Sequence, residues 1–165
     1  MAPSDRLELL DRLVNQARKS GATLCVHDDV AAALAIRTAL HLPSKGDLAR
    51  ARRILGISTL IGKSCHTRAE IIAAGEAGAD YVTISPVFSS SSKPGYLPTQ
   101  DFATAIDGIS LPILALGGIT FDTLPYLPGG FSGIATMGCA MTVSNAPKWF
   151  AEIKSGWKEH RAKSI

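Results

Sequence analysis

Cysteine is scarce in this chain: Cys25, Cys65 and Cys139 are the only three in 165 residues, with no CxxC and no Cys/His spacing among them. That argues against a disulfide framework or a zinc-finger-type centre and fits reduced core thiols in a cytoplasmic protein. Aromatic residues are also few, at 6%, and do not interleave with the basic ones. The net charge of +3 gathers on Arg50, Arg52 and Arg53, and on Lys148, Lys154, Lys158, Arg161 and Lys163. A nucleic-acid surface needs charge and stacking groups together, so solvated helix faces are expected and a nucleic-acid partner is not. No apolar run is long enough to span a bilayer, which argues against a membrane partner. Asp5, Arg6, Glu8, Asp11 and Arg12 in the first twelve residues argue against a secretory leader.

What is present is a globular composition, 46% hydrophobic and 19% charged, enough for one domain over residues 1–165 with a real core. An amphipathic helix is expected over 4–20, with Leu7, Leu10, Leu13, Val14 and Ala17 on one face and Gly21 as its stop. Short strands are expected at 23–27, 39–42, 60–64, from Tyr81, at 113–116 and at 132–137. Helices should fill the intervals, with Thr67 and Glu70 forming a capping box and Pro147 opening the last helix. Six strand–helix units in alternation indicate an α/β fold with a parallel sheet. Asp28, Ser64, Pro86, Gly117-Gly118 and Gly138 all fall at strand C-terminal ends, the face that carries the site in TIM barrels and in doubly wound sheets alike.

The stretch YVTISPVFSSSSKP, from Tyr81 to Pro94, concentrates the chemistry. A β-branched strand runs into four serines and Lys93, which together offer hydroxyls, backbone N–H groups and one cation. That set suits a phosphate or diphosphate, although a serine linker has the same composition. Gly117-Gly118 reads either as a tight turn or as a phosphate contact, and the contact is favoured because two glycines let N–H groups approach an anion. Asp29 is expected to cap the helix at Val30, while Asp28 is divided between capping and metal binding. His27 and His41 read as satisfied core or rim histidines, and His66 as a surface neighbour of the Thr67 cap or a residue facing the site.

Taken together and in order, VHDDVAAAL, LIGKSCHTRAE, AGADYVTISPVFSSSSKPG, LPILALGGIT and GFSGIATMG resemble the thiamine-phosphate synthase/TenI family, from about residue 8 to about residue 145. The resemblance implies a TIM-barrel-like βα repeat. It also implies the joining of a hydroxymethylpyrimidine diphosphate to a thiazole phosphate, with release of diphosphate and with Mg²⁺ as cofactor. The implied catalytic residues are Lys93 and Ser64, the latter the serine of an I-G-x-S strand end. Ser90 and Ser92 would join them on the diphosphate, and Gly117, Gly118, Met137 and Gly138 would take the thiazole phosphate. The metal aspartate falls on Asp28. A TenI-like thiazole tautomerase or a non-catalytic phosphate-ligand binder is the alternative; the histidine that some TenI proteins use falls on Pro86 here.

The family carries two more βα units before the first helix seen here, one of them with an Arg/Lys pair for the diphosphate. Without them the barrel is incomplete, at about six strands, and a longer native chain is one expectation. The second metal aspartate of the family is also out of register, since the text here reads HLPSKGD and ends on Asp47. Six parallel strands leave two edges, which predicts a homo-oligomer or a covering segment, with the helix at 4–20 as the candidate cover.

Overall fold

The computed structural model describes residues 3–89 and 102–163. In chain order the elements are α1 (Pro3–Lys19), β1 (Cys25–His27), α2 (Val30–Ala35), β2 (Ala39–Leu42), α3 (Leu48–Leu55), β3 (Ile61–Cys65), α4 (Arg68–Glu76) and β4 (Tyr81–Ile84). Then come α5 (Phe102–Ile106), β5 (Ile113–Leu116), a 3₁₀ turn (Leu124–Tyr126), β6 (Gly133–Ala135), α6 (Gly138–Thr142) and α7 (Ala146–Lys163). All six strands are parallel and pair in sequence order, giving a curled half-barrel with helical returns. The expected elements fall within a residue or two of the observed ones, and α6 is additional.

Local signals account for several boundaries. Asp29 Oδ1 accepts the Ala32 N–H at 2.9 Å and starts α2, and Asp47 Oδ1 accepts the Arg50 N–H at 2.9 Å and starts α3. Thr67 Oγ1 accepts the Glu70 N–H at 3.2 Å, but Glu70 returns one residue further than in a standard capping box and takes the His66 N–H at 2.5 Å. Leu10 packs among the residues beneath α2, Arg6 pairs with Asp29, and Arg18 donates to the Arg37 carbonyl. These contacts set α1 beside α2.

Alternation divides each strand between two faces. Val26, Leu40, Leu42, Ile61, Cys65, Val82, Ile84, Ile113 and Ala115 are all buried and point toward the helices. They form two clusters: a smaller one under α2 and α3, and a larger one joining α4, α5, the 3₁₀ turn and α7 through Ile71, Phe102, Leu124 and Ile153. Burial pushes the Cys65 thiol up to about 11, so it is an inert core group, and all three cysteines are free thiols. The opposite, inner face carries Cys25, His27, His41, Gly62, Ser64, Tyr81, Thr83, Leu114 and Leu116.

At the N-terminal ends of β3 and β4, away from the candidate site, Arg52 ties several loops together. Its guanidinium donates to the carbonyls of Gly56, Thr59 and Gly78, and to Asp80 Oδ2 at 2.7 Å. The same Asp80 oxygen accepts the Ile61 N–H at 2.6 Å.

Candidate functional site

Beyond β4 the chain keeps following β5: the Val87 N–H donates to the Leu116 carbonyl at 2.9 Å and the Phe88 N–H to the Gly117 carbonyl at 3.0 Å. This brings residues 86–89 onto the two glycines. Gly118 has φ of +64°, and a Cβ there would enter the Ser89 carbonyl oxygen; a Cβ on Gly117 would lie 2.9 Å from Pro86 Cα. The glycine pair is therefore required by close approach of the chain as well as by backbone conformation. Thr123 fixes the turn that follows, its hydroxyl donating to the Gly118 carbonyl at 2.7 Å and accepting the Thr120 N–H at 2.8 Å. Among the described residues the N–H groups of Gly118 and Ile119 make no hydrogen bond.

Between this turn and the end of β6 lies a cleft of about 320 Å³. Its walls include Ser85, Pro86, Ser89, Gly117, Gly118, Thr120, Met137 and Gly138. Four of the sequence-derived substrate residues, Gly117, Gly118, Met137 and Gly138, thus share one cavity. His66 braces it from behind: its Nδ1 lies 2.7 Å from the Ser85 carbonyl, which can only accept, so this nitrogen carries the proton. Ser89, at the rim, is where the serine loop departs. Ser90, Ser92 and Lys93 lie outside the described residues.

A second group occupies the inner face of β1 to β4. Tyr81 lies across β3 over Gly62, where any Cβ would run into its ring. Its hydroxyl thereby reaches His41 Nδ1 at 3.0 Å, with Cys25 Sγ at 3.7 Å. His41 Nε2 is 3.0 Å from Ser64 Oγ, and Thr83 Oγ1 donates to the same oxygen at 3.5 Å. Burial, and secondarily the neighbouring His27, hold the His41 pKa below the ordinary histidine value, so the ring is neutral near pH 7. Burial together with Cys25 pushes the Tyr81 pKa upward, so the phenol keeps its proton. His41 is a satisfied histidine, as expected, yet its partner is the serine singled out for catalysis. The sequence offered one signal for this group, a glycine inside a strand, which marks close approach by another group.

Asp28 ends β1 in the left-handed backbone region, at φ of +54°, with its N–H on the His41 carbonyl at 3.0 Å and its residue exposed. Asp29 and Asp47 are engaged as helix caps, and hydrogen bonding to the Ala32 N–H, aided by Arg6, holds the Asp29 pKa below the usual carboxylate value. No group of three metal-ligating side chains exists among the described residues. The described residues thus offer no all-protein cage for Mg²⁺, and Asp28 presents one exposed carboxylate at the end of β1. None of the helices, among the described residues, is long and apolar enough to cross a membrane.

Comparison with known proteins adds the following. Residues 1–139 match the family described as thiamine monophosphate synthase. The chain is 40% identical over 134 residues to the thiamine-phosphate synthase of Azoarcus sp. (strain BH72), covering 75% of this chain and 64% of that relative. It is 40% identical over 111 residues to that of Thioalkalivibrio sulfidiphilus (strain HL-EbGR7), covering 63% and 52%. The chain thus spans less than two thirds of the length of these curated relatives. Its fold resembles thiamine phosphate pyrophosphorylase from Pyrococcus furiosus, with a TM-score of 0.83 at 24% identity over 97% of this chain and 80% of that one.

Proposed function

The chain belongs to the thiamine monophosphate synthase family, and from that premise we propose that it acts in thiamine biosynthesis as a transferase. It would join a hydroxymethylpyrimidine diphosphate to a thiazole phosphate and release diphosphate. The observation that carries this reading is the cleft between the Gly117-Gly118 turn and Met137-Gly138. Among the described residues no charged side chain lines it, and it is next to N–H groups without a partner. Such a surface takes a phosphate without depending on side-chain charge.

In this reading the thiazole phosphate occupies the cleft, against Gly117, Gly118, Met137 and Gly138. Ser64, Ser90, Ser92 and Lys93 take the diphosphate. As the bond from the pyrimidine methylene to the diphosphate oxygen breaks, a pyrimidine methyl cation forms. Lys93 and the hydroxyls stabilise the charge on the departing oxygens, so catalysis is mainly charge neutralisation. Mg²⁺, when bound, supplies further neutralising charge, and Asp28 is the residue that would hold it. We also read the chain as cytoplasmic, on its likeness to biosynthetic synthases, and as a homo-oligomer, because β1 pairs only with β2 and β6 only with β5 among the described residues. A monomer in light scattering would contradict the oligomer.

The test is steady-state synthesis from the two phosphorylated precursors at saturating Mg²⁺. Lys93→Ala should lower the rate about a hundred- to a thousand-fold, equivalent to ~2.7–4 kcal/mol of lost transition-state stabilisation. Absence of product from the wild-type chain would defeat the transferase reading. Phosphate binding in the cleft without turnover would then favour a non-catalytic binder.

A further inference from the structure

We propose that Tyr81 and His41 are positioning residues that set the direction of the Ser64 hydroxyl, making it a hydrogen-bond donor to an anionic oxygen on the inner face. The inference rests on the transferase reading in one respect, the identity of that anion as a diphosphate.

The argument is a count of protons and lone pairs along one chain of contacts. His41, Gly62 and Tyr81 occupy one row across β2, β3 and β4, and Ser64 lies two residues along β3 on the same face. The phenol has one proton and two candidate acceptors, His41 Nδ1 at 3.0 Å and Cys25 Sγ at 3.7 Å. An imidazole nitrogen is a strong acceptor and a thiol sulfur a weak one, so the phenol proton belongs to Nδ1 and the thiol donates to the phenol oxygen. A neutral imidazole has one N–H. With Nδ1 accepting, that proton sits on Nε2 and is donated to Ser64 Oγ at 3.0 Å. Thr83 donates to the same oxygen at 3.5 Å. Both lone pairs of Ser64 Oγ are then engaged, and its proton has to leave in a third direction.

The opposite polarity would place the proton on Nδ1, turn the phenol toward sulfur and draw the serine proton into Nε2. Ser64 would then have no donor for a ligand. The chain of contacts thus has two states, and the tyrosine hydroxyl selects between them. Gly62 makes the selection possible, because with a side chain there Tyr81 could not lie across β3 to reach His41.

Long-range ¹⁵N–¹H correlation spectra of the full chain at pH 8 read the His41 tautomer directly. The expected result is an imidazole protonated on Nε2; an Nδ1-protonated ring or an imidazolium overturns the proposal. Tyr81→Phe should shift the ring toward Nδ1 protonation or a mixture, and an unchanged Nε2–H ring would remove Tyr81 from the mechanism. Calorimetry with inorganic diphosphate and Mg²⁺ then tests the consequence. His41→Gln, whose amide can donate near the Nε2 position, should stay within about threefold of wild type. His41→Asn, whose amide sits near Nδ1, should bind about tenfold more weakly, and Ser64→Ala should add nothing to that loss. Equal losses in the Gln and Asn variants, with both chains folded by near-UV circular dichroism, would reduce His41 to packing. A wild-type chain that binds no diphosphate counts against the transferase reading, while the tautomer spectra still decide the polarity of the chain.

Discussion

The inner face of the half-barrel is built on two plans that meet at β4. From β1 to β4 it is made of side chains: Cys25, Tyr81, His41, Ser64 and Thr83 hold one another by hydrogen bonds. From the end of β4 to β6 it turns on the glycine backbone at Gly117 and Gly118, beside a cleft that no charged side chain lines among the described residues. The two plans fail in different ways. A side-chain network is damaged by truncation, since each member determines how the next is oriented. A backbone cleft is damaged by enlargement, since it depends on positions that have no side chain.

The largest expected effect removes the comparison by striking the strand both halves share. Ile84 is fully buried on the helix side of β4. Ile84→Ala should destabilise the fold by about 2–5 kcal/mol in urea unfolding. A change below 1 kcal/mol would mean that β4 is not the common support.

The next isolates the backbone half. Gly118→Ala should cost about 1–3 kcal/mol of backbone strain and abolish inorganic phosphate binding in ³¹P NMR titrations. Gly21→Ala is the control: its φ is also positive, at +69°, but a Cβ there meets nothing within 4 Å. It should carry strain without loss of phosphate binding. Equal phosphate affinity in the two variants would place the anion elsewhere.

A third isolates the side-chain half through pH. Because the folded pKa of His41 lies below the ordinary value of about 6.5, the unfolded chain binds the extra proton first as pH falls. The stability held by the neutral ring is complete above that ordinary value. It is lost as pH drops toward the folded pKa, at no more than about 1.4 kcal/mol per pH unit. His41→Gln should flatten the melting temperature over this window, and an unchanged slope would assign it to other groups. The smallest effect lies outside both halves. Asp29→Ala removes the α2 cap and should cost about 1 kcal/mol in thermal unfolding, with the tautomer of His41 unaltered.

How much of this was legible in the sequence follows from range. Caps, glycine stops and strand patterns act within four residues, and the α/β alternation and the glycine pair followed from them. The α6 helix did not, because Gly138–Thr142 is five residues long and Met137 offers no side-chain cap. The side-chain half was harder still. Cys25, His41, Ser64 and Tyr81 are far apart in the chain, and only strand order and register bring them together. Tyr81 read simply as a strand former, and a glycine inside a strand, here Gly62, is a local trace that cannot name what approaches it. The close approach to Gly118 was equally hidden, since it depends on residues 86–89 continuing along β5.

The Arg52–Asp80 clasp bears on all of this from the far end of the sheet. By holding the Ile61 N–H, Asp80 settles which residue of β3 comes first against β4. A slip of one residue there would turn the strand over. Lys63, which now reaches the Gly46 carbonyl on the helix side, would enter the inner face, and Ser64 would be turned out of it. A guanidinium at the opposite end of the sheet from the candidate site thus contributes to whether the interior presents a hydroxyl or an ammonium group.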